Sequence, residues 1–201
     1  MATIGLDKPY FSLITEDANG QETYGEPEVM AKAIQADLTV NTSTATLYAD
    51  DGADETVDEF VNGTLSMGLN DLVSTVAAKL LGARVDSNGA LVTSTEDVAP
   101  YVAVGFRARK ANGKYRYFWL YRTKFGVPST NLATKGESIT FQTPTIEGTV
   151  MRRNKPDTQG KHPWKTEVTE GDTGVSAATI SGWFSAVYEP TFTAQGAGGN
   201  G

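Results

Sequence analysis

The chain has 201 residues, a formal net charge of −7, 21 glycines and no cysteine. That length suits one domain with a sizeable core, and the missing cysteine excludes a disulfide scaffold and thiolate metal sites. Moderate hydrophobicity with recurrent Gly, Thr and Val favours strands and turns over long helices. No charged-then-apolar leader opens the sequence and no run of about 18 apolar residues occurs, so a soluble protein without a visible export signal is expected.

Residues 1–30 are polar and turn-rich, with turn candidates at Asn19-Gly20 and Gly25-Glu26-Pro27 and a short strand around Tyr10, Phe11, Leu13 and Ile14. From Ala33 to Val40, Ile34, Ala36, Leu38 and Val40 alternate with polar residues, the mark of a half-buried strand, although Val29 to Ala36 also suits a helical turn or two. Thr44 to Ala49 reads as a strand. An acidic stretch follows, holding Asp50, Asp51, Asp54, Glu55, Asp58 and Glu59, and is read as a solvated loop. Gly63 to Leu69 is a further strand.

The clearest helix comes next. Asn70 suits its cap, Asp71 its positive end and Gly82 its C′ position, with Leu72, Val73, Val76, Ala77, Leu80 and Leu81 as one apolar stripe. After a turn at Asp86–Gly89, two strand-like runs from Tyr101 to Lys124 flank Asn112-Gly113. That pair predicts a two-residue type I′ turn. Register then follows: Lys110 faces Tyr115, Phe106 faces Trp119 and Val104 faces Tyr121. One face would carry Val102, Val104, Phe106, Ala108, Tyr117, Trp119 and Tyr121 as core. The other would carry Arg107, Arg109, Arg116, Arg122 and Lys124, with Arg109 opposite Arg116, a repulsion that calls for an anionic partner. Further strands are expected at Glu137–Thr143, Ile146–Arg152 and Lys165–Thr169. Residues 153–164 read as a loop, Gly182–Tyr188 as a strand or buried segment, and Thr193–Gly201 as a flexible tail. Many strands with one good helix predict a mainly-β fold, an antiparallel β-sandwich or barrel-like sheet with one flanking α-helix.

Charge divides the chain. Residues 1–97 hold 17 acids and 4 bases, whereas residues 98–201 hold 7 acids and 13 bases. Either the halves interleave in space and cancel, or copies associate head to tail, closing rings or extending filaments.

Motifs for chemistry are sparse. His162 is the single histidine, with no second His or Cys to share a metal, and is read as a loop or structural residue. The acidic stretch lacks the spacing of a calcium loop, since Gly52 stands third. No phosphate-binding glycine motif occurs. The basic hairpin face has nearby aromatics, but the acidity of the whole argues against nucleic-acid binding. No catalytic, cofactor or metal residues are assigned, and no cofactor is expected.

Several stretches resemble, in order, the major tail proteins of long-tailed phages infecting Gram-positive bacteria. They are Ile4-Gly-Leu-Asp-Lys-Pro-Tyr10, Tyr24-Gly-Glu-Pro27 with Ala31-Lys-Ala-Ile34, Leu47-Tyr-Ala-Asp-Asp-Gly52, and Gly63-Thr-Leu-Ser-Met-Gly-Leu-Asn-Asp-Leu72. Lys79-Leu-Leu-Gly82, Pro100-Tyr-Val-Ala-Val-Gly-Phe106 and Trp119-Leu-Tyr-Arg-Thr-Lys-Phe125 continue the series.

The resemblance implies a structural virion protein, not an enzyme. Its subunits would form rings, usually hexamers, stacked into a tail tube through which the genome passes without specific binding. It implies one tail tube domain with extended loops over residues 1–192, followed by the Gly-rich tail at 193–201. Implied partners are further copies of the chain and the tape measure, tail terminator and baseplate proteins, without membrane insertion. The implied location is the virion tail, after synthesis in the bacterial host cytoplasm. On that basis Arg107, Arg109, Arg116 and Arg122 are expected at a subunit interface. Asp50, Asp51, Asp54, Glu55, Asp58 and Glu59 are expected on a loop facing the lumen or an adjacent ring, with contact to a neighbour's basic residues as the competing placement. The alternative is a monomeric virion decoration or baseplate module binding host-surface carbohydrate, with Trp119, Trp164 and Trp183 for sugar stacking.

Overall fold

The computed structural model describes residues 2–49, 52–128 and 143–192. The protein is mainly β and its paired strands are antiparallel. The chain opens with β1 (Thr3–Glu16), β2 (Glu22–Tyr24) and β3 (Glu28–Val29), then makes two long strands, β4 (Ala33–Ala49) and β5 (Gly52–Leu69). Helix α1 (Ser74–Leu81) and a small ladder of β6 (Arg84–Val85) and β7 (Leu91–Val92) follow. Next come β8 (Tyr101–Lys110), β9 (Tyr115–Phe125), β10 (Thr145–Met151), β11 (Lys165–Thr169) and a short α2 (Ala177–Ser181). The main sheet runs β2-β1-β8-β9-β10-β5-β4, with β11 on β9 and β3 on β1. The ladder does not close into a barrel. The chain instead links its two margins directly, because β3 pairs with β1 and, after Met30–Lys32, β4 pairs with β5.

Alternation explains most strands. In β10, Ile146, Gly148 and Val150 are buried while Thr145, Glu147 and Thr149 are exposed. The separate strands expected at Ala33–Val40 and Thr44–Ala49 are one strand, bent by a bulge between Asn41 and Thr42. The expected Glu137–Thr143 strand lies largely outside the described residues.

Helix α1 is shorter than its apolar stripe suggested. Val73, without a side-chain cap, precedes it and is 56% exposed. Asn70 does not cap it, because its side-chain oxygen accepts the Lys32 amide at 3.0 Å and ties α1's approach to the start of β4. Gly82 does end it in the left-handed region, at φ 71°.

The β8–β9 turn corrects the expected register. Of Asn112 and Gly113, only Gly113 has positive φ, at 82°. The Gly113 amide donates to Lys110 O at 3.0 Å, and the Lys110 amide to Lys114 O at 2.8 Å. This is a three-residue loop with a left-handed glycine after a tight turn. The ladder is therefore offset by one: Arg109 faces Tyr115, Phe106 faces Phe118, Gly105 faces Trp119 and Val104 faces Leu120. A bulge at Tyr121–Arg122, opposite Ala103, then restores the expected offset at Tyr101 and Lys124.

One residue of slip moves a strand's side chains to the opposite face. The single core face expected for this hairpin is thus two cores. Val102, Val104, Phe106, Leu120 and Phe125 pack with Phe11, Leu65, Met67, Leu80 and Ile146. Ala103, Tyr117, Trp119 and Tyr121 pack on the other side with Trp183 and Val187 of the C-terminal segment. There Trp119 donates to Trp183 O at 3.0 Å and Tyr121 to Tyr188 O at 2.9 Å. The Gly182–Tyr188 stretch is not a strand but a turn that buries Trp183 and Val187 and leaves Gly182, Ser185 and Ala186 exposed.

Candidate interaction surfaces

The four arginines expected at an interface do not share one face. Arg109 pairs with Tyr115 and Arg116 with Ala108, so the expected Arg109–Arg116 opposition does not exist. Arg107 makes a bidentate ion pair with Asp7 on the neighbouring β1, at 2.5 and 2.9 Å, and lies over the Tyr115 ring. Those hydrogen bonds raise its pKa further. Arg116 pairs with Glu167 on β11, which Lys165 also reaches. Burial works against the Glu167 carboxylate, but these cations outweigh it and lower its pKa. Arg109 is exposed, and no described carboxylate pairs with it. No described carboxylate pairs with the half-buried Lys110 or the exposed Lys114 either.

Arg122 enters a buried network that sequence reading missed. At the β9 bulge it lies over the Tyr101 ring and pairs with Glu16 at 2.6 Å and with Glu22. Glu22 is fully buried on β2, and its second oxygen accepts the amides of Asn154 and Lys155. A buried carboxylate is tolerated only when it is paired and hydrogen-bonded in this way. Arg153, 1% exposed, extends the network by donating to Glu189 at 2.8 Å, and Lys155 binds the other Glu189 oxygen. His162 joins through its ring nitrogen to Arg153 O at 3.2 Å. Burial pushes the Tyr24 and Tyr121 phenols up beside these charges. The network fastens the 152–164 loop and the C-terminal segment to the sheet. The residues that meet at Glu22 and Glu189 stand about 30 to 130 residues from them in sequence, so no local motif announces it.

The acidic stretch is the larger correction. Asp54, Glu55, Asp58 and Glu59 lie within β5, hydrogen-bonded to β4, and not on a loop. Asp50 and Asp51 fall outside the described residues, between the paired Ala49 and Gly52. Strand β5 contacts β10 only from Gly63 to Gly68. Beyond that, residues 41–49 and 52–62 form a two-stranded arm, and among the described residues no third strand pairs with it. It extends on the order of 30 Å at strand rise. The arm holds six acids and no base. Thr44 donates to Asp58 across the ladder, and Val57 and Val61 are 47% and 54% exposed. At its base Phe60 stacks on Trp164, with ring centroids 4.5 Å apart.

Among the described residues no group of three or more His, Asp or Glu side chains could hold a metal ion. No described helix is long and apolar enough to cross a membrane. Of the tryptophans, Trp119 and Trp183 are buried in the second core. The architecture is that of an open antiparallel sheet, covered on both faces at β8 and β9, with a charged hairpin projecting from it. No protein-family model matches the chain, and no curated protein matches it as a relative.

Proposed function

We propose that the protein is a structural virion component that self-assembles into stacked rings, forming the tail tube of a long-tailed phage and a conduit for its genome. The observation that carries this reading is the β4–β5 arm. An isolated two-stranded hairpin is marginally stable in water, and its unpaired edges invite another chain. An arm of that length, built of strand-forming Thr and Val, is explained by a partner that covers it.

The resemblance running from Ile4 to Phe125 supports a second copy as that partner, in rings that are usually hexamers. The open margins of the main sheet support it too, since strands shared between copies would pair them. Repeated acidic arms also suit a conduit for DNA, because carboxylates do not hold phosphates as Lys and Arg do. The role is structural, in the virion tail, alongside the tape measure, tail terminator and baseplate proteins.

Electron microscopy of the concentrated protein, with its mass in solution measured alongside, tests the reading. Rings or hollow tubes are expected. A monomer that persists at high concentration, and also when supplied with preformed tail tips as a template, overturns it.

A further inference from the structure

The register of the sheet decides which end of the molecule each projection leaves. Val150 pairs with Thr123 of β9 on one side and with Gly63 of β5 on the other. From that level β9 runs back to Tyr115 and the Ala111–Gly113 turn, and β5 runs back to Gly52. The two travel in the same direction. The acidic arm and the β8–β9 hairpin therefore project from one end of the body, separated by β11 on the margin of β9.

That hairpin end is the cationic counterpart of the arm. Arg109, Lys110 and Lys114 fall within six residues that contain no acid. Arg107 and Arg116 nearby are neutralised by Asp7 and Glu167, but these three have no described carboxylate partner. The arm has surplus negative charge, two unpaired edges and exposed Val57 and Val61. Among the described residues, each surface lacks what the other supplies.

We propose that the arm of one copy docks on the Arg109, Lys110 and Lys114 hairpin end of a second copy standing beside it. The inference rests on the self-assembly reading above and assigns the arm to contacts within a ring. Features at the same end meet when neighbours stand side by side with parallel axes, and repeating that contact by rotation closes a ring. With the strands running along the ring axis, a contact stacking one ring on the next would need features at opposite ends. Charge complementarity of this kind sets register and speeds encounter.

The absence of cysteine gives a clean test. Glu59→Cys and Lys114→Cys are made singly and together, and are treated with a short bismaleimide under assembly conditions. Mixing the two single variants should give a cross-linked dimer, which can arise only between copies. The double variant should give a ladder ending at the ring number. A ladder stopping at two would mean a reciprocal pair and overturn the lateral contact. No cross-link from variants whose rings are visible by microscopy would also overturn it, while leaving self-assembly standing. Wild-type protein that never assembles would overturn both.

Charge reversal supplies the energetic arm of the test. Arg109→Glu with Lys114→Glu should abolish rings at concentrations where wild type forms them, with an unchanged circular dichroism spectrum. Mixing in copies carrying Asp58→Lys and Glu59→Lys should restore mixed assemblies. Rings from the Arg109→Glu, Lys114→Glu protein alone, or no restoration on mixing, counts against the contact.

Discussion

The β8–β9 ladder and the β4–β5 arm are both antiparallel hairpins, yet they are stabilised in opposite ways. The first is covered on both faces, by the main core on one side and by Trp183 and Val187 on the other. In the arm, residues 42–45 and 56–59 are exposed, and among the described contacts its base is pinned by the Phe60–Trp164 stack. Backbone pairing is common to both, so the difference lies in buried apolar area, the main favourable term in folding. A hairpin with two cores behaves as scaffold, and one with none depends on what it meets.

Changes that empty the covered hairpin should have the largest effect on the monomer. Trp119→Ala removes a fully buried ring that also donates to Trp183 O. It is expected to cost about 3–5 kcal/mol in urea unfolding. A loss below 1 kcal/mol would mean that the C-terminal segment is not a true second cover. Gly105→Ala attacks the same packing from below, because a Cβ there would sit 2.8 Å from the Trp119 ring. About 1–3 kcal/mol should be lost through overpacking.

Glu22→Ala strips the buried network of its central anion. It leaves Arg122 with only the half-exposed Glu16 and frees the amides of Asn154 and Lys155. Breaking a buried pair in this way costs about 3 kcal/mol or more. Faster hydrogen exchange through residues 152–164 should accompany the loss, and unchanged exchange there would detach the loop from Glu22.

Acid should weaken the body more gently. Asp86 has its pKa lowered by the amides of Ala90 and Asn88. Burial works against Asp157 and Glu167, but amides in the first case and cations in the second lower theirs too. Each folded pKa lies below its unfolded value. The stabilisation is therefore complete above about pH 4.5 and lost as pH falls through the lower folded values. Thermal midpoints measured from pH 6 to 3 should decline only at the acid end. Glu167→Gln should flatten part of that decline, and an identical slope would remove Glu167 from the account.

The smallest effect on monomer stability should come from the arm. Asp58→Asn with Glu59→Gln is expected to change the unfolding free energy by no more than about 0.5 kcal/mol, as for other exposed positions. A loss comparable to Trp119→Ala would show that the arm is part of the fold and erase its contrast with the β8–β9 hairpin.

The strand of β10 to within one residue at each end, the extent of β11, the left-handed end of α1 at Gly82 and the mainly-β class were legible in the sequence. Each follows from a periodicity or a backbone conformation read within a few residues. The remaining features depend on contacts between distant segments. Asn112-Gly113 marked the turn, but the local sequence does not choose between a two- and a three-residue loop, and that one residue moved the arginines onto different faces. Acidity made residues 50–59 look like a loop, whereas the backbone of 52–59 is held by pairing with β4, a ladder that side-chain charge does not reveal. Glu22, Arg122, Arg153 and Glu189 are ordinary charged residues in sequence. Only the packing of distant segments brings them together and buries Glu22, Arg122 and Arg153, and burial is what turns surface charges into a fastening.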